Sequence, residues 1–442
     1  MKRRRLTAAT ALITLVVIAA ACTGKTSDSS GGDGANAPVT LTLWHGYGKV
    51  ETNNGQVNYE AKSLTDLVAK FNASHTDVQV DPVFIGSNDN ALEKLTVALQ
   101  GGEQPDITYQ YGTSLPQIAT APGVMDLTDR VTDPTFKWDD FVEGARAASQ
   151  VDGHVYGIPA LIDNLAIVYN KDLFDAASVE YPTPDWTWDD FRSAAKTLTD
   201  PSKKQFGFGY PVDGSEDTVW HYDAMLWGAG GDILNADNTQ AAFNSDAGVQ
   251  ALTTLRDMAV TDQSVYLDQK NTGKMDDLFN SGNIGMMITG PWALSAYPSV
   301  NYGVQIMPAY SGGTHASIAG PDMWVMFDNN GHGDAAWEFM TWFTAAEQVK
   351  SDSLVSSHLP IRQSVVDAPG FVDQFDAKFP GEGIFAENLA NVTKARPVLQ
   401  TYDQISRIMA ESIVRVMLGQ GDPKTALDDA AQQVNQILAG QG

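Results

Sequence analysis

Cysteine is all but absent from this chain of 442 residues: Cys22 is the only one, so no intramolecular disulfide is possible and the fold rests on its core. Basic side chains are scarce as well. There are 28 Lys and Arg against 54 Asp and Glu, a formal charge of -26, and nucleic-acid phosphates would be repelled by such a surface. The seven His are scattered, without metal-ligand spacing, so no transition metal and no other cofactor is expected. Beyond the first residues no apolar run is long enough to span a bilayer. What is present is ample apolar and aromatic content in a chain long enough for two domains of ordinary size.

The first residues carry an address. Lys2-Arg3-Arg4-Arg5 is a basic start, 11–20 is apolar, and Ala19-Ala20-Ala21 leads into Cys22. This is the pattern of a secretory signal over 1–21. A cysteine after small residues resembles a bacterial lipobox, although Ala19 stands where lipoboxes usually carry Leu. Cys22 is therefore the expected lipidation site, and the membrane is expected as a partner through that anchor only. The alternative is an ordinary signal cut near Cys22 that leaves a free thiol. Residues 23–37, rich in Ser, Gly and Asp, read as a tether with a reach of roughly 20 Å.

From there strand and helix patterns alternate. Val39-Thr40-Leu41-Thr42-Leu43-Trp44 has the period of two of a strand, and 78–84 and 106–111 follow suit. Between them Leu64, Leu67, Val68 and Phe71 mark one helix face; Leu92, Leu95 and Leu99 mark another, closed by Gly101-Gly102. Thr187 and Asp190 form a capping-box pair, and Ser245 is placed to cap a further helix. This alternation predicts an α/β fold with largely parallel sheets flanked by helices. Two short apolar runs, 155–158 and 165–169, enclose Pro159 and the polar pair Asp163-Asn164. Pairing should break at Pro159, where no N–H is available. A chain leaving one sheet for another looks like this, with the polar pair facing the space between.

Tyr156-Gly157-Ile158-Pro159, then Tyr169-Asn170-Lys171-Asp172-Leu173-Phe174, and later Gly290-Pro291-Trp292 after a buried strand, resemble the extracellular sugar-binding proteins of ABC importers, the maltose-binding-protein type. The resemblance implies a two-lobed periplasmic-binding-protein fold of type II with a hinge of several segments. It places one lobe at 38–160 plus 304–360 and the other at 161–303 plus 361–442, with 302–307 as the strand returning to the first lobe. It implies a carbohydrate ligand, ABC permease subunits as partners, a monomer on the outer face of the cell membrane, and no enzymatic activity. The family's charged residues after its first and third strands are replaced here by His45-Gly46-Tyr47-Gly48 and Gly112-Thr113-Ser114, so the resemblance does not extend to maltose itself.

A sugar offers an apolar C–H face to an aromatic ring and polar edges that need fixed partners. Trp292 and Asp163 stand where the family contacts its ligand, and Asn164 adjoins them; core packing and backbone satisfaction at the hinge are the bland alternatives. Trp220 matches a second-lobe aromatic platform, with Tyr222 as its rival and Trp227 more at home in the core. Trp44, Tyr47 and Tyr111 lie at strand exits of the first lobe, and Tyr402, after Arg396-Pro397, approximates a late aromatic position. Other motifs fail. Gly24-Lys25-Thr26 lacks the upstream Gly of a phosphate loop, and Asp328-Asn329-Asn330-Gly331 lacks the later Glu of a calcium loop. Asp139-Asp140 and Asp189-Asp190 could pass for glycosidase carboxylates, but both follow Trp at helix starts, where acids favour the dipole. A secreted glycoside hydrolase and a binder of a glycerophosphodiester or polyamine remain as rival functions.

Overall fold

The computed structural model describes residues 38–51, 57–86, 88–270, 273–328, 331–392 and 394–440. The leader, Cys22 and the tether lie outside the described residues.

Ten strands build two five-stranded sheets, one per lobe. The first contains β1 (Val39–His45), β2 (Val78–Phe84), β3 (Ile107–Tyr111), β4 (Ile158–Asn164) and, from much later in the chain, β10 (Ala319–Met326), in the order β2-β1-β3-β10-β4. The second contains β5 (Ala166–Asn170), β6 (Phe206–Pro211), β7 (Val265–Asp268), β8 (Ile284–Thr289) and β9 (Tyr302–Gln305), in the order β9-β5-β8-β6-β7. In each sheet four of the five strands run the same way. The exceptions are the strands next to the crossings, β10 and β5, each antiparallel to both neighbours.

The helices form where the sequence signals place them. α1 (Tyr59–Ser74) starts at Asn58, whose side chain accepts from the Ala61 N–H. α2 (Ala91–Gly101) stops at Gly102 in the left-handed region, φ 70°. α3 (Trp188–Leu198) carries the complete capping box of Thr187 and Asp190, so Asp190 has a structural task. α4 (Glu216–Gly228) is capped by Ser215, and Ser245 caps the helix Asp246–Arg256. α5 (Tyr402–Met417) follows near the end of the chain. Among the described residues no helix is long and apolar enough to cross a membrane.

Two expectations at the crossings change. Pairing does not break at Pro159: β4 runs through it, and the ladder to β10 only shifts register between Asp322 and Met323. β4 is an edge strand, and an edge with a bulge is where a sheet tolerates a missing N–H. The chain therefore changes sheets at Leu165, between β4 and β5. The segment 302–307 does not return to the first sheet either; β9 pairs with β5 in the second, and β10 makes the return.

The second sheet is covered on both faces. Ile167, Tyr169, Met286 and Ile288 pack with Phe208, Leu252 and Ile413, whereas Ala166, Val168, Ile284 and Met287 belong to a cluster with Phe279, Phe371 and Phe385. Burial on both sides explains why β5 and β8 read as unbroken apolar runs and not as alternations.

Candidate functional site

A cavity of about 300 Å³ lies between the lobes. Its first-lobe wall is laid down by alternation along strands. Tyr109 and Tyr111 are two apart on β3 and share a face; Asp163 comes from β4 and Asp322 from β10, side by side in the sheet. Glu60, in the first turn of α1, and His358 close that wall. The second lobe supplies Glu216, Asp217 and Trp220 from the first turns of α4, then Trp292 just beyond β8, and Arg396.

Trp220 and Trp292 stack on each other, ring centroids 5.6 Å apart at 26°. Gly290 makes this possible by close approach: a Cβ there would fall 1.7 Å from Cζ3 of Trp292, whose ring folds back over the glycine. Trp220 reaches across to the first lobe, where a Cβ on Gly320 of β10 would sit 3.3 Å from its ring. The Arg396 guanidinium lies 6.0 Å from the Trp220 ring and pairs with Glu216 at 2.8 Å. Glu216 also accepts from the hydroxyls of Tyr402, at 3.0 Å, and Ser406.

On the opposite wall His358 bridges two acids, Nδ1 to Asp163 and Nε2 to Glu60 at 3.1 Å. Burial pushes this imidazole down, but Asp163 and Glu60 more than offset it and hold it well above the ordinary range, so both ring nitrogens carry protons. The other Asp163 oxygen accepts the Leu359 N–H at 2.9 Å. Asp322 differs. Burial pushes its carboxyl up to about 7; Tyr109 donates to one oxygen at 2.5 Å, and among the described residues the other has no side-chain or backbone partner. Trp220 Nε1 and Asn88 Oδ1, also on the cavity lining, are buried without a partner. Among the described residues no group of His, Cys, Asp or Glu is placed to hold a metal ion.

Of the residues singled out in the sequence, Tyr111, Asp163, Trp220 and Trp292 come together on this cavity. Tyr402 is buried behind it and reaches it through Glu216. Tyr47 stands behind Tyr109, centroids 5.1 Å apart, and Trp44, on β1, is not on the lining. Asn164 is fully buried, bonded to the Phe385 carbonyl and to Asn388, as a brace of the crossing. Tyr222 lies in the second-lobe core with its hydroxyl on the Gly248 carbonyl. Two positions along a helix is a rotation of about 200°, so Trp220 and Tyr222 cannot face the same space. Glu60, Asp322, His358, Glu216 and Arg396 escaped the sequence reading. Only Tyr109 left a usable signal, its spacing of two from Tyr111.

Two sheets exchanging strands at a hinge, with a polar and aromatic cleft between them, define a hinged binding protein of the type II periplasmic-binding fold. The chain belongs to the bacterial extracellular solute-binding protein family, whose model matches residues 55–350. Among solved structures, an ABC substrate-binding protein from Listeria monocytogenes in complex with cycloalternan is 25% identical, with a TM-score of 0.79 over 91% of this chain and 99% of that one. The cyclic alpha-maltosyl-1,6-maltose binding protein from Arthrobacter globiformis is 28% identical, with a TM-score of 0.72 over 91% of this chain and all (100%) of that one. The sn-glycerol-3-phosphate-binding periplasmic protein of Pectobacterium atrosepticum is 24% identical over 445 residues, 95% of each chain.

Proposed function

We propose that this protein is the substrate-binding component of an ABC importer, that it captures a carbohydrate between its lobes and delivers it to the membrane permease, and that it does so without chemical turnover. The observation that carries this reading is the pair of Trp220 and Trp292 beside buried polar atoms that lack partners, Asp322 Oδ1, Asn88 Oδ1 and Trp220 Nε1. Aromatic faces accept the C–H side of a sugar ring, and two acceptors with one donor suit hydroxyl groups. Likeness to the two oligosaccharide-binding structures supports the same class.

The glycerol-phosphate relative raises a second reading, and the cavity holding the two tryptophans disfavours it. A phosphate wants an available Arg or Lys. Arg396 is already paired with Glu216, and His358 with Asp163 and Glu60. The carboxylate pairs that could pass for a hydrolase are structural: Asp139 meets Arg146, Asp140 holds Ser364, and Asp190 caps α3. The lipid anchor at Cys22 and a monomeric state at the outer face of the cell membrane complete the proposal.

A thermal-shift screen over neutral oligosaccharides, glycerophosphodiesters and polyamines tests it, since a ligand that binds only the folded state raises the melting temperature. A neutral sugar should give the shift and be recovered intact. A shift with glycerophosphodiesters alone, or consumption of the sugar, overturns the reading.

A further inference from the structure

The cavity holding the two tryptophans is not the whole cleft. A second cavity of about 650 Å³ adjoins it, and Asn88, Tyr111 and Glu216 line both. Its walls come from both lobes. α2 and the turn after β3 contribute Thr96, Thr113 and Gln117; the start of α5 contributes Tyr402 and Ser406. The doorway between the two spaces is rigid on one side, because Glu216 is held by Arg396, Tyr402 and Ser406 together.

The two cavities differ in chemistry. The first has the paired indoles, whereas the second is lined mainly by amides, hydroxyls and charged groups, with Tyr111 and Tyr402 as its rings. Hydrogen-bonding atoms without partners run through both. Asp322 Oδ1 and Trp220 Nε1 lie on the first, Asn88 Oδ1 at the doorway, and Gln110 Oε1 on the second. Gln110 is 1% exposed and its amide nitrogen is engaged with Thr108 at 3.2 Å, so its Oε1 is buried behind the wall of the larger space. Such an acceptor is costly to leave unmatched. Together the volumes approach the upper end of the roughly 300–1,000 Å³ usual for small-molecule pockets. One hexose would leave most of that space to water.

We infer that the ligand is an oligosaccharide longer than a disaccharide, which stacks one end on Trp220 and Trp292 and passes Asn88 and Glu216 to lay further rings against Gln110 in the second cavity. This rests on the carbohydrate reading and deepens it to a length class. Gln117 lines the first-lobe wall of the second cavity, half-buried and, among the described residues, with no side-chain hydrogen bond, and does not line the first. A bulky residue there should obstruct only the far end of the ligand.

The test is calorimetric titration of the full mature protein with homologous neutral oligosaccharides of one to five residues, in several linkages, on wild type and on Gln117→Trp. Affinity should rise at least tenfold between the disaccharide and the longest bound member. Gln117→Trp should abolish that rise and leave disaccharide affinity unchanged, and Thr96→Trp, from the neighbouring helix, should do the same. Measurable binding with no dependence on length, or a rise that survives both variants, overturns the inference while the carbohydrate reading stands. Failure of every oligosaccharide to bind overturns both.

Discussion

Trp292 is placed by its two predecessors. Gly290 follows β8 in extended backbone and Pro291 opens a short 3-10 helix, and the missing Cβ of Gly290 lets the indole lie flat on the chain and meet Trp220. Removing a half-buried platform of this size loses both its area and its stacking, so Trp292→Ala should weaken sugar binding by on the order of 2–4 kcal/mol, as binding hot spots do. Calorimetry reads the loss, and an unaltered melting temperature of the free protein shows that the ring is not a core element. Gly290→Ala sharpens the point. The atoms nearest the added methyl belong to the side-chain ring of Trp292 and not to backbone, so the fold should survive while affinity falls nearly as far as in Trp292→Ala. Wild-type affinity in Gly290→Ala would mean that the ring does not need its present position. The motif was legible in the sequence because it is local. Asp163 was legible too, but not its occupation: His358, which holds it, lies 195 residues away.

At the scale of elements, α1, β4 and the segment after Ala346–Ser356 are tied by Glu60, His358 and Asp163. An unfolded imidazole titrates at about 6.5. The folded one is held well above that by its two acids against the burial that pushes it down. The stability this gives is fully present below pH ~6.5 and is lost as pH rises through the folded value. Asp322 acts in the same direction over an earlier window. Burial has pushed its carboxyl up to about 7, so it costs stability as pH climbs from its unfolded value near 3.9 toward 7. Melting temperature should therefore decline with rising pH in two stages. His358→Gln should flatten the alkaline stage, and Asp322→Asn the acidic one. A profile that keeps its alkaline slope in His358→Gln would refute the bridge as its source.

For the whole molecule, three passages of chain between the sheets, at Leu165, between β9 and β10, and between Arg362, which still pairs with Phe141, and α5, leave two sheets joined by few residues. A ligand touching both lobes favours the closed form by its differential affinity for that form. Small-angle scattering of the mature protein should show a smaller radius of gyration at saturating sugar; an unchanged radius would argue against hinge closure. The anchor is tested on intact cells. Two or more acyl chains hold a protein at a membrane where one does not, so Cys22→Ser should move the protein from the membrane fraction to the medium. Retention in the membrane fraction would refute lipidation at Cys22.

Whatever depends on neighbours in the chain was determined by the sequence alone: the strand and helix alternation, the capping box at Thr187, the glycine stop at Gly102, and the tryptophan of Gly290-Pro291-Trp292. These follow from backbone stereochemistry over a few residues, so a single stretch suffices to read them. The cleft itself was decided by tertiary structure. Glu60 reads as an ordinary first-turn acid, Asp322 as a polar interruption in a strand, and Arg396 as a surface cation, until tertiary packing brings distant segments within hydrogen-bond reach. Facing matters equally: Tyr222 and Trp220 look equivalent along the chain, and only the helix's rotation sends one to the core and the other to the cavity. Burial and pairing are properties of the packed assembly, and they convert these unremarkable side chains into a site.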